Sequence, residues 1–246
     1  SYTPSVFYKH FVLANDINAT ETAIWAQGYG FKPIASSPHW FKGSFDGKGY
    51  TISGLTINRP NSNAIGLFGR LQRGTIANLH LKDAKVTGRT NIGILAGSLA
   101  LATIENCSAD GTLQGYKDLG GLIGFSTNKS SISKSKSSGS VIGTKERIGG
   151  LVGHNYTNSE ITDCYSSSSV TGPKWVGGLV GLNTINSKIL RCYSIGRINK
   201  EGFAGANHNN GKIADSFWDV ESSGQSTSSG TGATGKTTYQ MKSLST

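Results

Sequence analysis

Apolar residues recur in short runs that return about every 28 positions, and each run is bounded by glycine or by polar turn residues. Each period carries three such runs, rich in β-branched residues and without helical periodicity. This pattern predicts three short strands per period, stacked on those of the next period as a parallel solenoid. The first run ends at Gly69, Gly97, Gly124, Gly153, Gly181 and Gly205, and an isoleucine follows each at Ile76, Ile104, Ile132, Ile161, Ile189 and Ile213. We therefore expect an all-β fold: a parallel, right-handed β-helix of about six coils of 24–29 residues, with a cap at each end.

The repeat divides the chain into three segments of one structural domain. Residues 1–63 lack the repeat and are expected to form the N-terminal cap and first coil, residues 64–220 form the array, and residues 221–246 are a polar Ser/Gly/Thr-rich cap or tail. The first apolar cross-section of a solenoid would otherwise face water. The expected plugs are Trp25, Phe31, Trp40 and Phe45 at the first end, and Tyr239–Met241 is expected to dock at the other end.

The sequence Gly-Gly-Leu-Val-Gly occurs at residues 149–153 and again at residues 177–181. We expect its glycines to adopt positive φ at the corners of the coil and to let neighbouring backbones approach closely. The leucine and valine between them are expected to fill the interior.

All three cysteines fall at one position of the repeat, three residues after the isoleucine. The residues at that position are Leu79, Cys107, Ser135, Cys164, Cys192 and Ser216. Small and weakly polar residues there predict buried, free thiols. In-register stacking on parallel strands is poor disulfide geometry, and no histidine shares the position, so neither a Cys164–Cys192 bond nor a metal site is expected.

The next residue of each repeat should point outwards if the cysteines point inwards, because side chains alternate along a strand. These residues are His80, Ser108, Lys136, Tyr165, Tyr193 and Phe217. The last three form a candidate ligand-binding file that could stack on sugar rings or contact a partner surface. The alternative is the inverted parity, with the rings inside and the thiols near the surface.

Three further sets of polar residues align between coils. The position before the cysteines carries Asn78, Asn106, Lys134, Asp163, Arg191 and Asp215, whose charges alternate from Lys134 onwards and are expected to support the register. The cluster of Asp163, Arg191 and Asp215 is the one weak acid/base candidate. Asparagines that tolerate left-handed turns, or whose amides bond between coils, recur as Asn155, Asn183, Asn207 and as Asn158, Asn186, Asn210.

The net charge of the chain limits the kinds of binding partner that we expect. The net charge of +10 comes from 24 Lys+Arg against 14 Asp+Glu, and the basic residues are scattered rather than clustered. A surface of this kind favours polysaccharides, anionic glycans or a host or cell surface, and no nucleic-acid partner is expected. No apolar run is long enough to span a membrane, residues 1–18 lack a signal-peptide pattern, and no cofactor is expected.

The repeat at Gly178–Gly181 with Ile189–Ser194 is similar to the GLUG repeat of bacterial and archaeal surface proteins, which include IgA-cleaving metallopeptidases and haemagglutinin-like adhesins. The lead-in Phe11–Ile17 with Phe41–Ile52 and the tail Phe217–Gln225 with Gly235–Lys242 also resemble that family. The resemblance implies an extracellular or cell-surface β-helical module and carries over no catalytic residue. Ser135 at the cysteine position and Ile94 at a glycine depart from the repeat.

Three functions remain open at this point. The first is a non-catalytic module for adhesion, or for binding a glycan or a partner. The second is a structural spacer that presents another domain. The third is a polysaccharide lyase or glycoside hydrolase, which would need clustered or paired acids that this sequence largely lacks.

Overall fold

The coils stack through short strands that form three parallel sheets, in a computed structural model that describes residues 4–243. The sheets contain 8, 14 and 5 strands and are named here the first, second and third sheet. Every strand pair is parallel and joins residues of successive coils. The predicted parallel β-solenoid with three strands per period is therefore confirmed.

The helices and strands are short. The strands, in chain order, are β1 (His10–Val12), β2 (Ile17–Asn18), β3 (Ser44–Asp46), β4 (Thr51–Ser53), β5 (Thr56–Asn58), β6 (Asn63–Ile65), β7 (Phe68–Gln72), β8 (Thr75–Ala77), β9 (His80–Thr87), β10 (Thr90–Gly93), β11 (Ala96–Ala100), β12 (Thr103–Glu105), β13 (Ser108–Gly120), β14 (Ile123–Thr127), β15 (Ser131–Ser133), β16 (Lys136–Gly149), β17 (Val152–Asn155), β18 (Glu160–Thr162), β19 (Tyr165–Ser166), β20 (Ser169–Thr171), β21 (Lys174–Gly177), β22 (Val180–Asn183), β23 (Lys188–Leu190), β24 (Tyr193–Ser194), β25 (Lys212–Ala214), β26 (Ser216–Asp219) and β27 (Ala233–Lys236). The helices are two 3₁₀ segments, Pro4–Tyr8 and Thr20–Gly28, and two α-helices, α1 (Val220–Ser223) and α2 (Thr238–Ser243).

The three sheets are continuous from coil to coil. The first sheet has the order β1-β3-β8-β12-β15-β18-β23-β25, and the third has the order β22-β17-β14-β11-β7. The second follows β2-β4-β9-β13-β16-β19-β24-β26-β27, with β5, β6, β10, β20 and β21 paired beside this path. No described helix is both long and apolar enough to cross a membrane.

The core consists of stacks of equivalent residues, one from each coil. The six isoleucines after the glycine runs pair in register along the first sheet and are between 0% and 7% exposed. Burial of each such side chain stabilises the fold by roughly 1.5–3 kcal/mol. Because every coil repeats the same contacts, the aliphatic stacks run through the whole array.

The corners of the coils are formed mainly by residues other than glycine. The position before the cysteines has a left-handed φ of 48–54° in all six repeats, from Asn78 to Asp215. A second corner has φ of 49–60° at Ala64, Asn91, Asp118, Arg147 and Trp175. The glycines at 149–153 and 177–181 do not have positive φ, so that part of the prediction is wrong.

The motif glycines instead allow two backbones to approach each other. A Cβ on Gly150 would overlap the carbonyl oxygen of Gly178 and the hydroxyl of Ser166, and one on Gly178 would overlap the carbonyl of Gly202. The expected close approach is thus confirmed. Leu151 and Val152, the apolar pair of the motif, are fully buried, as predicted.

The N-terminal end of the solenoid is open. Phe11 and Ile17 point towards the interior from β1 and β2 but are 37% and 39% exposed, whereas Ile52, which pairs with Ile17, is 6% exposed. The expected plugs are only partly in place: Trp25 is 48% exposed. Phe41 and Phe68, whose ring centroids lie 5.1 Å apart, are fully buried next to the first coil.

The C-terminal end is closed by the polar segment after β26. Gly202 N–H donates to the Thr227 carbonyl (3.0 Å), and Ala204 N–H donates to the Ser228 hydroxyl (3.0 Å). Strand β27 then adds a further parallel strand to the second sheet. Of the segment expected to dock at this end, Tyr239 is 83% exposed and does not dock, whereas Met241 lies over the last coil with Phe217.

Candidate functional site

The outer face of the second sheet carries the predicted aromatic file. Tyr165 and Tyr193 lie on paired strands, with ring centroids 4.8 Å apart and planes only 2° from parallel. Tyr193 pairs in turn with Phe217. The neighbouring Cys164 and Cys192 are buried, so the predicted parity, with thiols inside and rings outside, is confirmed.

The ring faces of this file are partly occupied by the protein itself. Tyr165 has Tyr193 on one side and the Lys136 ammonium 5.8 Å from its ring centroid. The Lys236 ammonium lies 5.8 Å from the centroid of Phe217. Such contacts are weakly favourable cation–π interactions. Tyr165 therefore has little free ring face, and a ligand could contact the file mainly at Tyr193 and Phe217.

A cleft of about 790 Å³ lies over Tyr193 and Phe217. Ile195 and Met241 complete its apolar floor and wall, and we name these four residues the aromatic cleft. A volume of this size is typical of small-ligand sites, which combine apolar surface with a few polar groups. Its rim includes the polar or charged residues Arg191, Asp215, Asp219, Ser222, Thr238 and Lys242.

Helix α2 forms one wall of the cleft and is held by hydrogen bonds at its start. The Thr238 hydroxyl donates to Asp219 Oδ2 (2.7 Å), and the Thr238 N–H donates to Glu221 Oε2 (2.8 Å). Burial alone would raise the pKa of Asp219, but the hydrogen bonds that it accepts lower it. An ionised Asp219 thus anchors the segment that brings Met241 over the sheet.

The acid/base candidate of the sequence is largely an ion pair. Arg191 Nε and Nη2 donate to the two carboxylate oxygens of Asp163 at 2.7 and 2.8 Å. The hydrogen bond from Arg191 lowers the pKa of Asp163. Both side chains are largely exposed, so water and salt screen the pair and it adds little to the stability of the fold. Asp215 lies on the next coil and, among the described residues, forms no ion pair with Arg191.

A second, polar groove adjoins the file on the same sheet and was not singled out from the sequence. Its volume is about 370 Å³, and it reaches Tyr165 at one end. His80 Nδ1 lies 2.8 Å from the Ser108 hydroxyl, and Ser138 donates to Asp110 Oδ1 at 2.6 Å. The outward residues at alternate positions of β9, β13 and β16 could have indicated it. We name it the polar groove; its charged lining residues are Lys82, Asp110 and Lys136.

A buried charged cluster lies where the second and third sheets meet, away from these grooves. Arg147 Nε is 2.7 Å from Asp118 Oδ1, and Arg147 Nη1 is 3.4 Å from His154 Nδ1. Burial lowers the pKa of His154 to about 4, so its ring is neutral at pH 7. None of the three residues lines either groove. The arrangement is that of a structural contact between adjacent coils.

The thiols and the metal-binding residue types offer little chemistry. Burial raises the pKa of Cys107 to about 12 and also raises that of Cys164, so neither thiol is ionised at neutral pH. Within residues 4–243, no three His, Cys, Asp or Glu side chains are grouped so that they could hold a metal ion.

The stacked amides of the interior are structural. Asn155 Nδ2 donates to Asn183 Oδ1 (2.8 Å), and Asn183 Nδ2 donates to Asn207 Oδ1 (2.9 Å). The expected bonding between coils is therefore confirmed. Asn158, Asn186 and Asn210 adopt left-handed φ of 58–62°, also as predicted.

Comparison with known proteins identifies the repeat. A family model described as the GLUG motif matches residues 115–142 and 146–171. The chain therefore carries GLUG repeats. The second match includes strands β17 to β20 and therefore Tyr165 of the aromatic file.

Relatives of the GLUG region are much longer proteins. Halomucin of Haloquadratum walsbyi is 40% identical over 124 residues, which are 49% of this chain and 1% of halomucin. The immunoglobulin A1 protease of Streptococcus sanguinis is 38% identical over 105 residues, 42% of this chain and 5% of the protease. The chain thus spans only a small part of the length of these relatives.

A solved structure shares the whole fold. A Bacteroides ovatus protein, provisionally described as an immunoglobulin A1 protease, matches with a TM-score of 0.74 and 18% identity, over 98% of this chain and 83% of that one. An IgA1 protease structure matches with a TM-score of 0.67 and 22% identity, over 96% of this chain and 20% of that one. At these identities the likeness concerns the fold alone.

Proposed function

We propose that this GLUG-repeat solenoid is a non-catalytic, extracellular binding module and that the aromatic cleft is its carbohydrate-binding site. The observation that carries the proposal is the cleft over Tyr193 and Phe217, with charged groups along its rim. Aromatic rings suit the apolar faces of sugars, while rim groups can bond to sugar hydroxyls.

Two further observations support a binding role over catalysis. Lyases and glycosidases need a metal-binding acid cluster or a pair of acids. Here Asp163 is bonded to Arg191, and Asp219 is bonded to Thr238 and caps α1. The region shared with the proteases is the GLUG solenoid, 5% of the S. sanguinis enzyme. Similarity to halomucin and to immunoglobulin A1 proteases supports the proposed extracellular location.

The proposal is tested by binding to an array of immobilised neutral and acidic polysaccharides, followed by calorimetry with soluble fragments. We expect Tyr193→Ala to weaken binding by at least about tenfold, because roughly 1 kcal/mol or more of ring contact is lost. Phe217→Ala should act in the same direction. Tyr116→Ala is the matched control, since Tyr116 is comparably exposed but lies outside the cleft.

Failure of every polysaccharide to bind would contradict the proposal, as would equal affinities for the Tyr193→Ala and Tyr116→Ala variants. Circular dichroism of each variant separates loss of the site from loss of the fold.

The open N-terminal end favours a second candidate, a spacer within a longer assembly. Phe11 pairs with Phe45 and Ile17 pairs with Ile52 of the next coil, and both residues remain more than a third exposed on their other side. If the protein binds no glycan, the spacer function is the candidate that remains. It would gain support if fusion of a further solenoid coil before residue 4 raised the thermal midpoint.

A further inference from the structure

We infer that the carbohydrate is an extended acidic polysaccharide that lies along the second sheet, parallel to the solenoid axis, with one sugar in the aromatic cleft and acidic groups in the polar groove. The inference rests on the proposed function, since it takes the aromatic cleft as one end of the site. It adds the chemical class, the direction and the minimum length of the ligand.

The length follows from the register of the sheet. His80, Ser108, Lys136, Tyr165, Tyr193 and Phe217 are equivalent residues on six successive strands. Five steps at the strand spacing separate the first from the last, which is roughly 24 Å. The polar groove covers the first four of these positions, and the aromatic cleft covers the last two. The two depressions thus form one track, which is longer than a disaccharide.

The charge of the ligand follows from the lysines of the polar groove. Lys82 and Lys136 line it and form no ion pair with any described acid. The groove's one carboxylate, Asp110, accepts a hydrogen bond from Ser138 at 2.6 Å. The groove therefore offers two positive charges against one negative charge. Carboxylate or sulfate groups on a sugar chain would complement the lysines through charge-assisted hydrogen bonds.

A single-stranded nucleic acid is the other extended anion to consider, and the ring geometry disfavours it. Such chains bind by stacking bases on free aromatic faces. Tyr193 stacks on one face of Tyr165, with 4.8 Å between the two ring centroids. Lys136 Nζ lies 5.8 Å from the centroid of the same ring. The groups that remain accessible to a ligand are the ring edges and hydroxyls of the tyrosines and the lysine ammonium groups. These groups suit hydroxylated, acidic sugars.

The test compares galacturonic acid oligomers with cello-oligosaccharides, each as the dimer and as longer chains, by calorimetry at low and high salt. We expect affinity for the acidic series to rise with length beyond the dimer and to fall with salt. The Lys82→Gln/Lys136→Gln variant should lose about tenfold in affinity for the long acidic oligomers and remain unchanged for the dimer. Tyr193→Ala should weaken both.

The matched control is Lys188→Gln/Lys212→Gln, which removes two paired lysines from the first sheet and should change nothing. Three results would overturn the inference: equal affinity for dimer and long oligomers, equal affinity for the neutral series, or an unchanged Lys82→Gln/Lys136→Gln variant. Tighter binding of a single-stranded oligonucleotide than of the acidic oligomers would also overturn it. Absence of binding by every sugar in both series contradicts the proposed function itself.

Discussion

Replacement of Asn183 by alanine should cost much of the stability of the fold. Asn183 is fully buried and connects two coils through its side chain. Its amide accepts from Asn155 at 2.8 Å and donates to Asn207 Oδ1 at 2.9 Å and to the Ser187 carbonyl at 3.2 Å. Alanine removes these three bonds and a longer contact from Asn183 Nδ2 to the Lys212 carbonyl (3.5 Å).

The magnitude can be worked from these contacts. Three hydrogen bonds at a net value of about 1 kcal/mol each give about 3 kcal/mol. Asn207 Oδ1 loses its donor, whereas the Ser187 carbonyl still accepts from the Lys212 N–H at 2.8 Å. The one group left without a partner adds about 1–3 kcal/mol. We therefore expect a loss of about 4–6 kcal/mol, against a total stability of roughly 5–15 kcal/mol for a typical domain.

The assay is urea unfolding followed by circular dichroism and tryptophan fluorescence, with the slope compared between variants. The control is Asn106→Gly, which removes an exposed amide bond between coils (2.8 Å to Asn78 Oδ1) at a left-handed φ of 50° that glycine tolerates. It should cost about 1 kcal/mol or less. Equal losses for Asn183→Ala and Asn106→Gly would refute the argument that burial gives the amide stack its value.

Three other predictions concern packing, reactivity and pH. Gly178→Ala should destabilise the fold several times more than Gly224→Ala, as measured by thermal unfolding of the two variants. The new Cβ at residue 178 would overlap the Gly202 carbonyl, whereas Gly224 has open space around it and only its left-handed φ opposes alanine. Cys107 should react with a thiol reagent only after unfolding, because burial raises its pKa to about 12; equal rates in native buffer and urea would contradict this. Burial lowers the pKa of His154 to about 4, so its contribution to stability falls as pH drops from 6.5 towards 4, whereas the neighbouring Asp118, whose pKa burial raises to about 7, contributes with the opposite sign. Relative to His154→Gln, the native chain should therefore lose up to about 3 kcal/mol over this range in pH-dependent unfolding.

The period of the sequence was sufficient to predict the parallel array, because stacked coils place like residues on like and the same residue types therefore recur. The isoleucine stack, the inward thiols and the outward Tyr165 and Tyr193 could all be derived from spacing and alternation. The amide chain through Asn183 followed from the same alignment.

Local chemistry was less informative at the corners and ends. Residues such as Asp163 and Arg147 take left-handed φ although glycines lie nearby, since the glycines are needed where backbones cross. The exposure of Trp25 and Tyr239 reflects how the two ends are covered, which no periodic signal encodes.

The repeat by itself determines which residues share a strand position, because a fixed period leaves one register for a parallel stack. The candidate site needed the tertiary structure. The cleft exists because residues after β26 return across the last coil and place Met241 beside Phe217, held by Thr238 and Asp219. That contact lies outside the repeat and depends on the chain reversing at the end of the solenoid.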